Sequence, residues 1–131
     1  MLDGLIGRTV FAVSITQDKE GICFHTDGGD RWYRTERDCC NSVWLNHVQG
    51  VRSLWGEEVL GIDEYGWVDT TPTPDLDEYE ECLSVSIRTR KGTCDLEFRN
   101  NHNGYYGGSV VAGAPDSSWT SWPSKRLQDD F

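Results

Sequence analysis

CLSVSIRTRKGTCDLEFRNNHNGYYGGSVVA, residues 82–112, decides the fold. Leu83, Val85 and Ile87 alternate with Ser84, Ser86 and Arg88, and further on Leu96 and Phe98 alternate with Asp95, Glu97 and Arg99. Alternation at period two places apolar side chains on one face of a strand, so two half-buried strands are expected. Between them stands Arg90-Lys91-Gly92-Thr93, whose glycine takes the positive φ that a tight turn requires. With Lys91 and Gly92 as the central turn residues, Arg88 faces Asp95, Ile87 faces Leu96 and Val85 faces Phe98. Opposite charges then meet on the wet face and apolar groups on the dry one.

The next connection ends in Asn103-Gly104, a strong hairpin signal. Tyr105 to Ala112 reads as a third strand, in which Gly107 and Gly108 mark a bulge or a close backbone approach. No register pairs its apolar residues throughout with the preceding strand, so that pairing stays open.

KGTCDLEFRNNHNGYYGGSV resembles the C-terminal signature of a small phage-associated family of unknown function, whose members carry an SNGYYS-like pattern and an upstream QDCCE-like motif. The upstream motif stands here as Arg37-Asp38-Cys39-Cys40-Asn41, followed by Gly50-Val51-Arg52-Ser53-Leu54-Trp55-Gly56. Arg37, Asn41, His102 and Gly107 depart from the family pattern. The resemblance covers residues 5 to 65 and 82 to 112 and implies a viral or prophage setting, with no activity attached.

At 131 residues the chain is expected to be one domain burying its own core. Its start lacks the basic lead and long apolar core of a signal peptide, and no run of apolar residues is long enough to span a membrane, so a cytoplasmic protein is expected. Five cysteines, Cys23, Cys39, Cys40, Cys82 and Cys94, show no CxxC spacing, which suits reduced thiols. Cys82 and Cys94 read as small buried hydrophobes.

Net charge is −10. From Ser53 to Ile87 there is no Lys or Arg, whereas Glu57, Glu58, Asp63, Glu64, Asp69, Asp75, Asp77, Glu78, Glu80 and Glu81 all fall there. Phosphate backbones and anionic membranes are poor partners for such a chain, and a basic protein surface is a better match.

In chain order, Arg8 to Ile15 reads as a strand with Phe11, Val13 and Ile15 on one face. Ile22 to Thr26 follows with Ile22 and Phe24 inward, then Arg31 to Arg34, making an antiparallel meander. Ser42 to Val48 reads as a strand, Val51 to Trp55 as one helical turn ended by Gly56, and Glu57 to Tyr65 as a weaker strand. Residues 69–81 read as a solvated acidic loop. The expected class is mainly β, with α+β as the other possibility: a single antiparallel twisted sheet or a small β-sandwich of meander hairpins, with one short helix. Residues 1–112 form the domain. Residues 113–131, with Trp119 and Trp122, form a tail that drapes over the sheet or hangs free.

Adjacent side chains on a strand point to opposite faces, so Cys39 and Cys40 cannot grip one ion and read as structural. Cys23 and His25 share a face, but zinc wants four ligands, and a site would need Cys40 or His47 to come close. No metal and no cofactor are therefore expected. No local signature frames a Cys–His nucleophile either, and a non-catalytic protein is expected.

Two surfaces remain. Trp55, Tyr65, Trp67 and Tyr79 stand among Glu57, Glu58, Asp75, Asp77 and Glu80, a combination that anchors a partner by ring burial and screens it by charge. The first functional expectation is thus an accessory protein that binds and inhibits or redirects a host or defence protein through this surface. Asn101, His102, Asn103, Tyr105 and Tyr106 offer amides and rings suited to a nucleotide or other small molecule, the second expectation. Turn chemistry alone also accounts for Asn103, Gly104 and one tyrosine.

Overall fold

The structure, a computed structural model, describes residues 1–36, 41–70, 79–102, 108–113 and 124–131. Its strands are β1 (Thr9–Thr16), β2 (Gly21–Thr26), β3 (Gly29–Glu36), β4 (Ser42–Gln49), β5 (Glu57–Glu58), β6 (Gly61–Asp69), β7 (Tyr79–Thr89), β8 (Gly92–His102), β9 (Ser109–Ala112) and β10 (Ser124–Arg126). They form two antiparallel sheets. Sheet A runs β10-β1-β2-β3-β9, with β5 also on β1, and sheet B runs β4-β8-β7-β6. Short 3-10 turns cover Asp3–Leu5 and Val51–Leu54.

The expected mainly β class is correct, and of its two forms the structure takes the two-layered one. One apolar cluster joins Val10, Val13, Ile22 and Phe24 of sheet A to Leu45, Val85, Ile87, Leu96 and Phe98 of sheet B. Burying each large side chain contributes about 1.5–3 kcal/mol, and this shared burial holds the layers together.

The β7–β8 hairpin forms where expected but two residues out of the expected register. Thr89 pairs with Gly92, so Arg90 and Lys91 are central, and Ser86 faces Asp95, Val85 faces Leu96 and Leu83 faces Phe98. A slip of two leaves every side chain on its own face. Thr89 fixes the turn in this register, with one local bond and one distant one: its Oγ1 accepts from the Lys91 amide at 3.2 Å and donates to the Ser53 carbonyl at 2.6 Å.

The first strand is also corrected. Pairing with β2 jumps between Val10 and Ala12, which makes Phe11 a bulge residue, and Phe11 is 59 % exposed while Val10 and Val13 are buried. The extra residue changes the parity of the strand, so Phe11 leaves the face it would share with Val13.

The expected Glu57 to Tyr65 strand divides into β5 and the start of β6. At the ends of the expected loop 69–81, Asp69 belongs to β6 and Tyr79 to Glu81 belong to β7, and residues 71–78 lie outside the described residues. The next described strand after β8 lies on the other sheet. β9 pairs with β3 on sheet A, so the Asn103-Gly104 signal does not make a hairpin of β8 and β9. Gly108 is a close approach as expected, since a Cβ there would lie 2.9 Å from Val43 and 3.0 Å from Asn100.

The end of the chain drapes over the domain. β10 adds to β1, and Val48 and Phe131 exchange backbone hydrogen bonds of 2.9 and 3.0 Å. Asp130 accepts from the Val51 amide at 2.9 Å. No helix among the described residues is long and apolar enough to cross a membrane.

Candidate functional site

The two surfaces read from the sequence meet at one end of sheet B. Tyr79 pairs with His102 across β7 and β8, and Glu80 pairs with Asn101. The Tyr79 and His102 rings stack with centroids 5.6 Å apart and planes at 18°. Behind them lies a polar chain: His102 Nε2 is 2.7 Å from Glu81 Oε1, Asn100 donates to the same Glu81 oxygen at 3.5 Å, and Asn41 donates to Asn100 Oδ1 at 3.1 Å. Asn41 and Asn100 are buried, so these amides must be bonded to be tolerated there. Asp75, Asp77, Asn103, Tyr105 and Tyr106 lie outside the described residues, as do Cys39 and Cys40.

Along the neighbouring edge, β6 carries Tyr65, Trp67 and Val68. Pairing with β7 jumps between Glu64 and Trp67, and Gly66 sits at φ +73 within that irregularity. The bulge turns Tyr65 out to 64 % exposure and leaves Val68 56 % exposed, while Trp67 packs partly on the core.

Trp55, Glu57 and Glu58 are elsewhere. Lys91, at the β7–β8 turn, donates to the Trp55 carbonyl at 2.9 Å and lies 3.8 Å from Glu57. That turn is at the far end of β7 from Tyr79, ten residues of extended chain and roughly 33 Å away. The structure therefore separates the expected patch into a turn end and a Tyr79 end.

The acids are also less bare than the sequence suggests. Asp63 pairs with Arg88 at 2.9 Å, Glu80 lies 3.5 Å from Arg99, and Glu64 accepts from the Leu2 amide at 3.4 Å. Arg99 also contacts Glu97, whose hydrogen bond helps hold the guanidinium pKa above its usual value against desolvation. The cations come from β7 and β8, outside the acidic window, so only the register reveals this compensation. It bears on the small-molecule expectation too, since Arg88 and Arg99 are already engaged by carboxylates. On sheet A, Lys19, Lys125 and Arg126 line a groove of about 500 Å³ with Ile15 and Phe131.

Another cluster lies on sheet A. His25 Nε2 is 2.8 Å from Ser14 Oγ, and its Nδ1 is 2.7 Å from Asp30 Oδ1 and 4.0 Å from Cys23 Sγ. Asp30 comes in because it pairs with His25 across β2 and β3. An Asp in a polar turn gives no sign of this by itself; only the turn length between the strands could have placed it. His47 is on β4 of the other sheet. Cys23, Cys82 and Cys94 are free thiols. Burial pushes Cys23 and Cys94 up to about 12, and it raises Cys82 as well, so these groups are thiols and not thiolate nucleophiles at neutral pH.

A domain of unknown function, DUF7448, matches residues 3–112. The chain belongs to the DUF7448 family. The DUF7448 match takes in both sheets through β9, with the Val51–Leu54 turn and the stacked Tyr79–His102 pair, and it ends before β10. No curated protein and no solved structure matches the chain.

Proposed function

We propose that this DUF7448 protein is a non-catalytic docking protein that binds a partner protein through the β6 edge and the Tyr79 end of sheet B. The observation that carries the reading is the bulged edge strand. Among the described residues β6 ends the sheet, and its irregularity holds Tyr65 and Val68 out beside Trp67 and Asp69. A bulge and acidic side chains discourage indiscriminate strand addition at an edge. Rings held out at such an edge suit burial in a partner's pocket, with the acids favouring a basic rim. The resemblance to a phage-associated family supports a host or defence protein as the partner, inhibited or redirected by being covered.

Affinity capture from a host lysate tests this, using the natural chain beside a Tyr65→Ala/Val68→Asp variant that folds normally. The natural chain is expected to retain a specific, salt-sensitive protein partner that the variant loses. Equal recovery by both chains, or a bound metabolite in place of a protein by native mass spectrometry, overturns it.

A further inference from the structure

We propose that Cys23, His25 and Asp30 form a transition-metal site on the outer face of sheet A, with zinc the fitting ion and water in the open position. This inference is independent of the docking surface on sheet B. Sγ of Cys23, Nδ1 of His25 and a carboxylate oxygen of Asp30 all lie within 4.8 Å of one another. A tetrahedral zinc ion with bonds of roughly 2.0–2.3 Å needs its ligand atoms roughly 3.3–3.6 Å apart. The observed separations of 4.0 Å and 2.7 Å bracket that value, so small side-chain rotations open the pocket to the ion.

The donor set is a thiolate, an imidazole and a carboxylate. That mixture suits zinc and does not suit the all-oxygen demands of magnesium or calcium. Among the described residues three protein ligands stand here, and the partly exposed His25 and exposed Asp30 leave water the access that an open site needs and a closed structural one lacks.

Ser14 supplies the orientation. With the imidazole hydrogen on Nε2, the ring donates to Ser14 Oγ at 2.8 Å, and the Nδ1 lone pair is left for the ion. The order Ser14, His25, Asp30 is also that of a hydrolase relay, but Ser14 is 5 % exposed and its hydroxyl is not presented to a substrate. Holding the ring is the role its burial fits. Coordination replaces the Cys23 thiol proton, which passes to solvent, so binding weakens as the solution is acidified.

The test uses the full chain, stripped with a chelator and titrated with Co²⁺ and then Zn²⁺. The expected result is a thiolate-to-cobalt charge-transfer band with tetrahedral visible bands, both abolished by one equivalent of zinc. Cys23→Ser should lose the charge-transfer band, Asp30→Asn should weaken zinc binding roughly tenfold or more, and Ser14→Ala should weaken it roughly 10- to 100-fold. Absence of the band in the natural chain, or a band that survives Cys23→Ser with unchanged zinc affinity in Asp30→Asn, overturns the proposal. If Cys23→Ser does not fold, Asp30→Asn decides alone, because that side chain is 57 % exposed and its amide keeps the shape.

Discussion

Tyr79 and His102 lie face to face across β7 and β8, and Glu81, two residues along β7, holds the His102 ring at 2.7 Å. From Glu81 the polar contacts run inward to the buried Asn41–Asn100 pair, Asn100 donating to Glu81 at 3.5 Å and Asn41 donating to Asn100 at 3.1 Å.

That arrangement makes the two rings energetically coupled. Tyr79→Ala and His102→Ala, alone and together, are expected to give a coupling of about 0.5–1.5 kcal/mol in a urea-denaturation cycle. Strict additivity of the two losses contradicts a working stack.

Gly50 and Gly56 both take left-handed φ, +83 and +72, but only Gly50 is crowded, since a Cβ there would sit 2.2 Å from the Thr93 carbonyl oxygen. Gly56→Ala should therefore cost about 1–2 kcal/mol from backbone strain alone. Gly50→Ala should cost about 2 kcal/mol more, because the contact is with backbone and not with a flexible side chain. The difference in denaturant midpoint measures it, and equal midpoints contradict the close approach.

Asp130 titrates below its usual value of 3.8, first because the Gly50 and Val51 amides donate to its charged form. A carboxylate with a depressed pKa stabilises the fold above the unfolded value and loses that contribution as pH falls through the folded one. The tail clasp is thus intact at neutral pH and loosens only below 3.8. The Val51 amide proton should report an NMR titration midpoint below that value; a midpoint at or above it argues against the bond. Asp130→Ala should cost about 1 kcal/mol or less, since the group is exposed to solvent screening.

Cys23 and Cys94, raised from 9.0 to about 12 by burial, hold little thiolate at mild pH. Their alkylation in the folded chain should be roughly a thousandfold slower than in urea, from thiolate fraction alone. Mass spectrometry after a short iodoacetamide pulse reads this directly, and rapid labelling without denaturant refutes it.

The alternating pattern of residues 83–88 and 96–98 makes two strands legible from local sequence, because burial on one face forces period two. The exact turn was not legible, since Thr89 is fixed by Ser53, a residue far off in the chain. Phe11 misleads for a related reason: a bulge reverses strand parity without changing composition. The pairing of β9 with β3 on sheet A is long-range, and the close approach of Gly108 to Asn100 and Val43 beside it is likewise a contact between distant segments that no local turn signal encodes. At the candidate site, ring-rich acidic composition was readable, but the cations that compensate it and the distance between Trp55 and Tyr79 follow from register.

The β1–β10 and β3–β9 pairings place both flanks of sheet A among residues after 108, whereas all the described strands of sheet B fall within residues 42–102. As the chain leaves the ribosome, one layer has all its strands well before the other gains its outer ones. Until then the β1–β3 ribbon has open borders that invite mispairing, so the interval before residues 109–126 are available is when this chain is most exposed to aggregation.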